Sequence, residues 1–189
     1  MRNCNSIRRN TQDYLKKYHC ILHTMIYRMS HAPFRSSISG NFIVQMLPHH
    51  QAAIEMSQNL LAYTINIPLQ TIALNIIVSQ SKSIENMLKA LDTCQEVSNS
   101  SQQLHTYRME NARILQTMFS EMSSACADNC IDADFIREML PHHKGAIHMS
   151  MHALRYPLCP ELVPILHSIL HSQEKGVLEM QCLLSQISP

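Results

Sequence analysis

The chain has 189 residues, enough to bury one sizeable core or two small ones packed together. Fifteen Lys+Arg against fourteen Asp+Glu leave a formal net charge of +1 with no long run of either sign. The basic stripe that a nucleic-acid groove or an anionic membrane surface requires is therefore missing. No apolar stretch reaches the roughly eighteen residues needed to span a bilayer. The first ten residues carry charge with no apolar segment behind them, unlike a secretory leader. Seven cysteines, an odd number without framework spacing, read as reduced thiols, which places the expectation in the cytoplasm.

Only 3 glycines occur and the apolar residues are spaced rather than alternating, which predicts an all-α protein. A first helix is expected over about 11–30, because Tyr14, Tyr18, Ile21 or Leu22, Met25 and Met29 recur every three to four residues. A loop containing Pro33 and Gly40 follows. A second helix is expected over 41–63, with Asn41 suited to its N-cap. Pro68 marks a turn, and a third helix is expected over 69–91. Ser98 to Gln103 form a polar joint.

The series then repeats. Helices are expected over 103–123, over 134–156 with Asp134 as N-cap, and over 162–187. A Cys-containing loop around Asp128 and Asn129 and turns at Pro157, Pro160 and Pro164 separate them. Sliding the chain by 93 residues lays 41–91 on 134–184 without a gap at about 40% identity, where average composition gives roughly 6%. Tyr14 falls on Tyr107, Met25 on Met118 and Met29 on Met122. The organisation expected is two tandem repeats, 11–97 and 103–187, of three helices each, packed as one bundle domain.

Twelve histidines and thirteen methionines are the unusual entries in the composition. On the second helix Met46, His49, His50 and Ala53 are three, four and seven apart and share a face, with Met56 about two turns beyond His49. The second copy repeats them as Met139, His142, His143, Ala146 and Met149. Met25 with Met29, and Met118 with Met122, are i, i+4 neighbours on the first helix of each copy. Pro48 and Pro141 stand immediately before the His pairs, where an interior proline costs about 3 kcal/mol. Shared ancestry alone would reproduce such a feature, so the prolines do not by themselves indicate a site.

Thioether sulfur is a poor ligand for Mg²⁺, Ca²⁺ or Mn²⁺ but suits Cu(I), and imidazole suits copper, zinc, nickel and iron. Methionine with histidine, without clustered carboxylate or thiolate, points to copper first, silver as its mimic, and zinc well behind. A methionine stripe alone is ordinarily core filler. Adjacent histidines on an apolar face are harder to treat that way, since buried imidazoles need polar partners. His19 with His23, His148 with His152, and His167 with His171 are further i, i+4 pairs without mates in the other copy. They read as surface histidines first and accessory contacts second. Cys126 and Cys130 lack a second pair and read as free thiols.

These residues resemble domain-of-unknown-function family 305, whose hallmark looks like Phe-x-x-x-Met-x-Pro-His-His-x-x-Ala-x-x-Met. Here it is carried by Phe42, Met46, Pro48, His49, His50, Ala53 and Met56, and again by Phe135, Met139, Pro141, His142, His143, Ala146 and Met149. The resemblance implies a ferritin-like helical bundle and, as in some members, copper binding through Met and His. The family's later helix looks like Gln-x-x-Glu-Ile-x-x-Met. This chain keeps Gln80 and Met87, and Gln173 and Met180, but has Ser83 and Gly176 at the acidic position, so that any role of that carboxylate is either lost or moved to Glu85 and Glu179.

The reading that results is a copper-binding protein for buffering, storage or tolerance rather than catalysis. Its expected partner is the metal ion, and a homo-oligomer is compatible with such a bundle. A helical interaction module with Met surfaces is the alternative. A ferritin-like redox enzyme is a weaker one, because no Glu-x-x-His occurs. With ordinary imidazoles, Cu(I) affinity should fall by roughly a decade per coordinating His between pH 7.5 and 5.

Overall fold

The computed structural model describes residues 7–187. It contains six helices in chain order: α1 Arg9–Ser30, α2 Ile38–Leu61, α3 Ile67–Glu96, α4 Ser101–Ser123, α5 Ile131–Ala153 and α6 Leu162–Ile187. No strand occurs among the described residues. The all-α expectation holds, and each expected helix has its counterpart.

The boundaries move for reasons of capping. Helix α2 begins three residues before Asn41, because Ser37 Oγ accepts from the Gly40 N–H. Asn41 instead folds back onto the preceding loop, accepting from Arg35 N–H and donating to Arg35 O. Asp134 does the same one copy later, accepting from the Asp128 N–H, while α5 starts after Cys130. Gly40 lies inside α2 rather than in the loop. Asn66 caps α3 through Leu69 N–H, with a proline in the first turn where its missing N–H costs nothing. Ser100 and Gln103 close a reciprocal capping box on α4, so the polar joint is a helix start.

Helices α2, α3, α5 and α6 pack together, with α2 against α5 and α3 against α6. Helix α1 lies on α2, and α4 on α5. Interior residues come in pairs 93 apart: Tyr14 and Tyr107, Phe42 and Phe135, Met46 and Met139, Met87 and Met180, all at most 1% exposed. Pro48 and Pro141 lie within their helices, leaving the carbonyl four residues earlier without its usual intrahelical donor.

One pairing escaped the sequence. Cys94 at the end of α3 and Cys159 before α6 form a disulfide across 65 residues, with a Cα–Cα distance of 5.3 Å. The expectation that all cysteines are reduced thiols is thereby corrected, and with it the thiol argument for a cytoplasmic home. Cys20, Cys126, Cys130 and Cys182 are free, and Cys4 lies outside the described residues. Under the 93-residue offset the partners of Cys94 and Cys159 are Ile187 and Asn66, so neither spacing nor repetition signalled the bond.

Candidate metal centre at the α2–α5 contact

The proline of each Pro-His-His element sits in the helix, so the two following imidazoles leave α2 and α5 about 100° apart in direction. Where these helices meet, the two His pairs form one cluster rather than one per copy. His49 and His142 stack with ring centroids 3.6 Å apart. Each donates its Nε2–H to the other's backbone carbonyl, His49 to His142 O at 3.2 Å and His142 to His49 O at 3.0 Å. A carbonyl only accepts, so both rings are held as the Nε2–H tautomer and their Nδ1 atoms carry the lone pair.

His50 and His143 flank this stack, with centroids 5.9 Å from His49 and 6.0 Å from His142 respectively. His50 Nε2 shares a hydrogen bond of 3.0 Å with Ser83 Oγ on α3. In the other half Gly176 of α6 takes that place, and a Cβ there would lie 2.9 Å from His143 Nε2. The position that is acidic in the resembling family is thus the one facing the second histidine of each pair. Glu85 and Glu179 do not take over its role. Glu85 stands in solvent between Lys82 and Lys89, and Glu179 beside Lys175.

All four imidazoles are at most 2% exposed. Burial drives their pKa values down: His50 to about 3 and His142 to about 4, with the His142 ring adding to the effect on His50. His49 and His143 are lowered well below the usual value by burial first and then by neighbouring imidazoles. The centre is therefore neutral at pH 7, as metal binding requires. The Nδ1 atoms of His49, His50 and His142 have no hydrogen-bond partner. One turn before Ser83 and Gly176, Gln80 has both amide atoms unpartnered and Gln173 its Oε1. An unmade bond of this kind costs about 1–3 kcal/mol, and several together rival the net stability of a domain, about 5–15 kcal/mol. The unpartnered Nδ1 lone pairs of His49 and His142 are donors of the kind that a cationic guest would meet.

Met25, Met29, Met46, Met56, Met118, Met122, Met139 and Met149 are all interior, at most 2% exposed. Met118 lies so close to α5 that Gly145 has no room for a Cβ against its Sδ, while the partner position on α2 holds Ala52. Among the described residues, no three ring nitrogens of the cluster lie within 4.8 Å of one another. Imidazoles alone thus make no three-ligand cage, and thioethers are the remaining soft donors.

The other histidine pairs do not join the centre. His19 and His23 are exposed on α1, and His167 and His171 on α6. His148 and His152 part company: His148 is exposed, whereas His152 is buried, stacks on Tyr107 and donates to Tyr107 O. Sequence reasoning missed a second buried polar group. The Tyr14 hydroxyl of α1 donates to Glu138 of α5, whose pKa burial raises to about 8. The signal was the exchange of Glu138 for Gln45 under the repeat, with Gln45 Oε1 accepting from Asn111.

The fold and site define an all-helical bundle protein with a buried, neutral four-histidine centre. The chain belongs to the family described as Domain of unknown function (DUF305), which matches residues 40–184. No curated protein matches it. Among solved structures it is similar to the crystal structure of a DUF305 fragment from Deinococcus radiodurans. The TM-score is 0.59 at 22% identity, over 82% of this chain and 99% of that one, a likeness of fold.

Proposed function

We propose that this protein binds a soft metal ion, copper as Cu(I) before silver or zinc, and acts in copper buffering, storage or tolerance. The observation that carries the reading is the cluster of four neutral, buried imidazoles, three of which, His49, His50 and His142, have unpartnered Nδ1 atoms. His49, His50, His142 and His143 would supply at most two nitrogens to one ion, with thioethers from Met46, Met56, Met139 and Met149 on the same helices and Met25, Met29, Met118 and Met122 on α1 and α4 as the further donors. Nothing further is required of the residues than to present lone pairs and exclude water. Ser83 orients His50, and the exchanged carbonyls orient His49 and His142.

Among the described residues the buried carboxylates are Asp134 and Glu138, both on α5, so the four-helix carboxylate set of a di-iron enzyme has no counterpart. The interaction-module reading asks for methionines on the surface. Of the described methionines, Met109 and Met151 are the large exposed ones, and the rest face inward.

The test is elemental analysis of untagged protein followed by anaerobic Cu(I) competition titration. Replacing His49 and His50 should lower affinity by at least about tenfold, and so should replacing His142 and His143, because the pairs share one centre. Unchanged binding after removal of all four would eliminate the centre.

A further inference from the structure

The most constrained feature outside the histidine centre is the knot around Cys94 and Cys159. Ser37 Oγ donates to Cys94 O, Cys159 N–H donates to Ser39 Oγ, and Asn99 ties Ile38 N–H and Pro157 O together. Three loops are thus fixed around the two sulfurs, and both cysteines are fully buried. The side chain of Glu161 is exposed, yet one of its carboxylate oxygens lies within 4.8 Å of both sulfurs. Two sulfurs and a carboxylate are thus gathered at one place, the cysteines held by hydrogen bonds that do not depend on the disulfide.

We infer that Cys94, Cys159 and Glu161 form a second, redox-gated metal site that takes a soft or borderline d¹⁰ cation when the disulfide is reduced. A dithiol reductant supplies the two electrons and two protons: the Cys94–Cys159 bond breaks, a disulfide forms in the reductant, and two thiols remain. Binding the cation releases the two thiol protons to solvent, and Glu161 contributes the third donor with its charge. Thiolates select Cu(I) and Zn(II) among available cations, and a carboxylate as third ligand is compatible with zinc. In the oxidised protein the sulfurs are neutral and bonded to each other, so no thiolate is present to ligate and the site is closed. This inference stands apart from the histidine centre, since it uses none of its ligands.

The experiment uses the full chain with Cys4, Cys20, Cys126, Cys130 and Cys182 replaced by serine. It is reduced with dithiothreitol, freed of reductant anaerobically, and titrated with Cd(II), whose thiolate charge-transfer absorption reports sulfur ligation. The expected result is two titratable thiols, unchanged helical circular dichroism and one equivalent of Cd(II). The oxidised protein should show no such band. Glu161→Gln should weaken binding by at least about tenfold while leaving the band in place, and Cys159→Ser should abolish it. Loss of helix on reduction, a disulfide that resists the reductant in the folded protein, or two free thiols without the band would each overturn the site. Equal affinity in the Glu161→Gln variant would overturn the carboxylate's part in it.

Discussion

The histidines of the α2–α5 contact behave unlike histidines in water, and this changes what acid should do. The ordinary pKa of 6.5 led to an expected loss of Cu(I) affinity between pH 7.5 and 5. With His50 near 3 and His142 near 4, protons do not compete until well below pH 5. Affinity measured anaerobically, with the chelator's own titration corrected, should therefore change by less than about twofold over that range. A fall of a decade per histidine would show the imidazoles to be hydrated. Stability carries the acid dependence instead. Above pH 6.5 the imidazoles are neutral in both folded and unfolded chains. Below it the unfolded chain takes up protons that the folded one refuses, so each such histidine costs about 1.4 kcal/mol per pH unit until its folded pKa is reached. Glu138 opposes this, because its raised pKa makes the fold more stable as pH falls from about 8. Four lowered imidazoles outweigh it, and urea midpoints of the metal-free protein should decline from pH 6.5 to 5.

At the scale of the element, the helices were legible because Tyr14, Tyr18, Met25 and Met29 keep one period, and because the second copy repeats them. Their starts were not. Asn41 and Asp134 have the chemistry of N-caps, but their side chains serve the loop before the helix, and only the folded loop reveals that. The His-His elements were legible as donors, whereas their merger into one centre depends on α2 crossing α5, which no local pattern encodes. The exchange of Ser83 for Gly176 was visible as a departure but not as an adaptation. Gly176 lets His143 approach within a distance that a Cβ would violate, while the hydroxyl of Ser83 meets His50. Gly176→Ser should cost about 1–3 kcal/mol by overpacking. Ser83→Gly, which removes one hydrogen bond and adds backbone freedom, should cost less, about 1–2 kcal/mol. The two can be compared by urea denaturation, and a milder effect at 176 than at 83 would contradict the close packing.

For the whole molecule, the disulfide closes a loop of 65 residues that spans both copies. Chain-entropy arguments give about 4 kcal/mol for a loop of that length. Cys94→Ser with Cys159→Ser should lower unfolding stability by that order while leaving the helical spectrum intact, since the surrounding hydrogen bonds remain. A loss of helix at 25 °C would mean that the bundle depends on the bond rather than being clasped by it. No helix among the described residues is long and apolar enough to cross a membrane.

The exchange of hydrogen bonds between His49 and His142 has a consequence for how such a chain could have come about and come apart. Each half finishes the other's polar accounting, so one half alone would present an imidazole with no carbonyl to meet and a carbonyl with no imidazole. A second copy of the same half offers both in the matching place. Residues 1–97 expressed alone should therefore assemble as a two-fold symmetric dimer through the Pro-His-His face, and His49→Ala should shift that assembly to monomer in light scattering. On this view the full chain is a dimer whose subunits have been joined end to end. Its two halves then meet at fixed stoichiometry, each supplying the carbonyl that the other's imidazole requires.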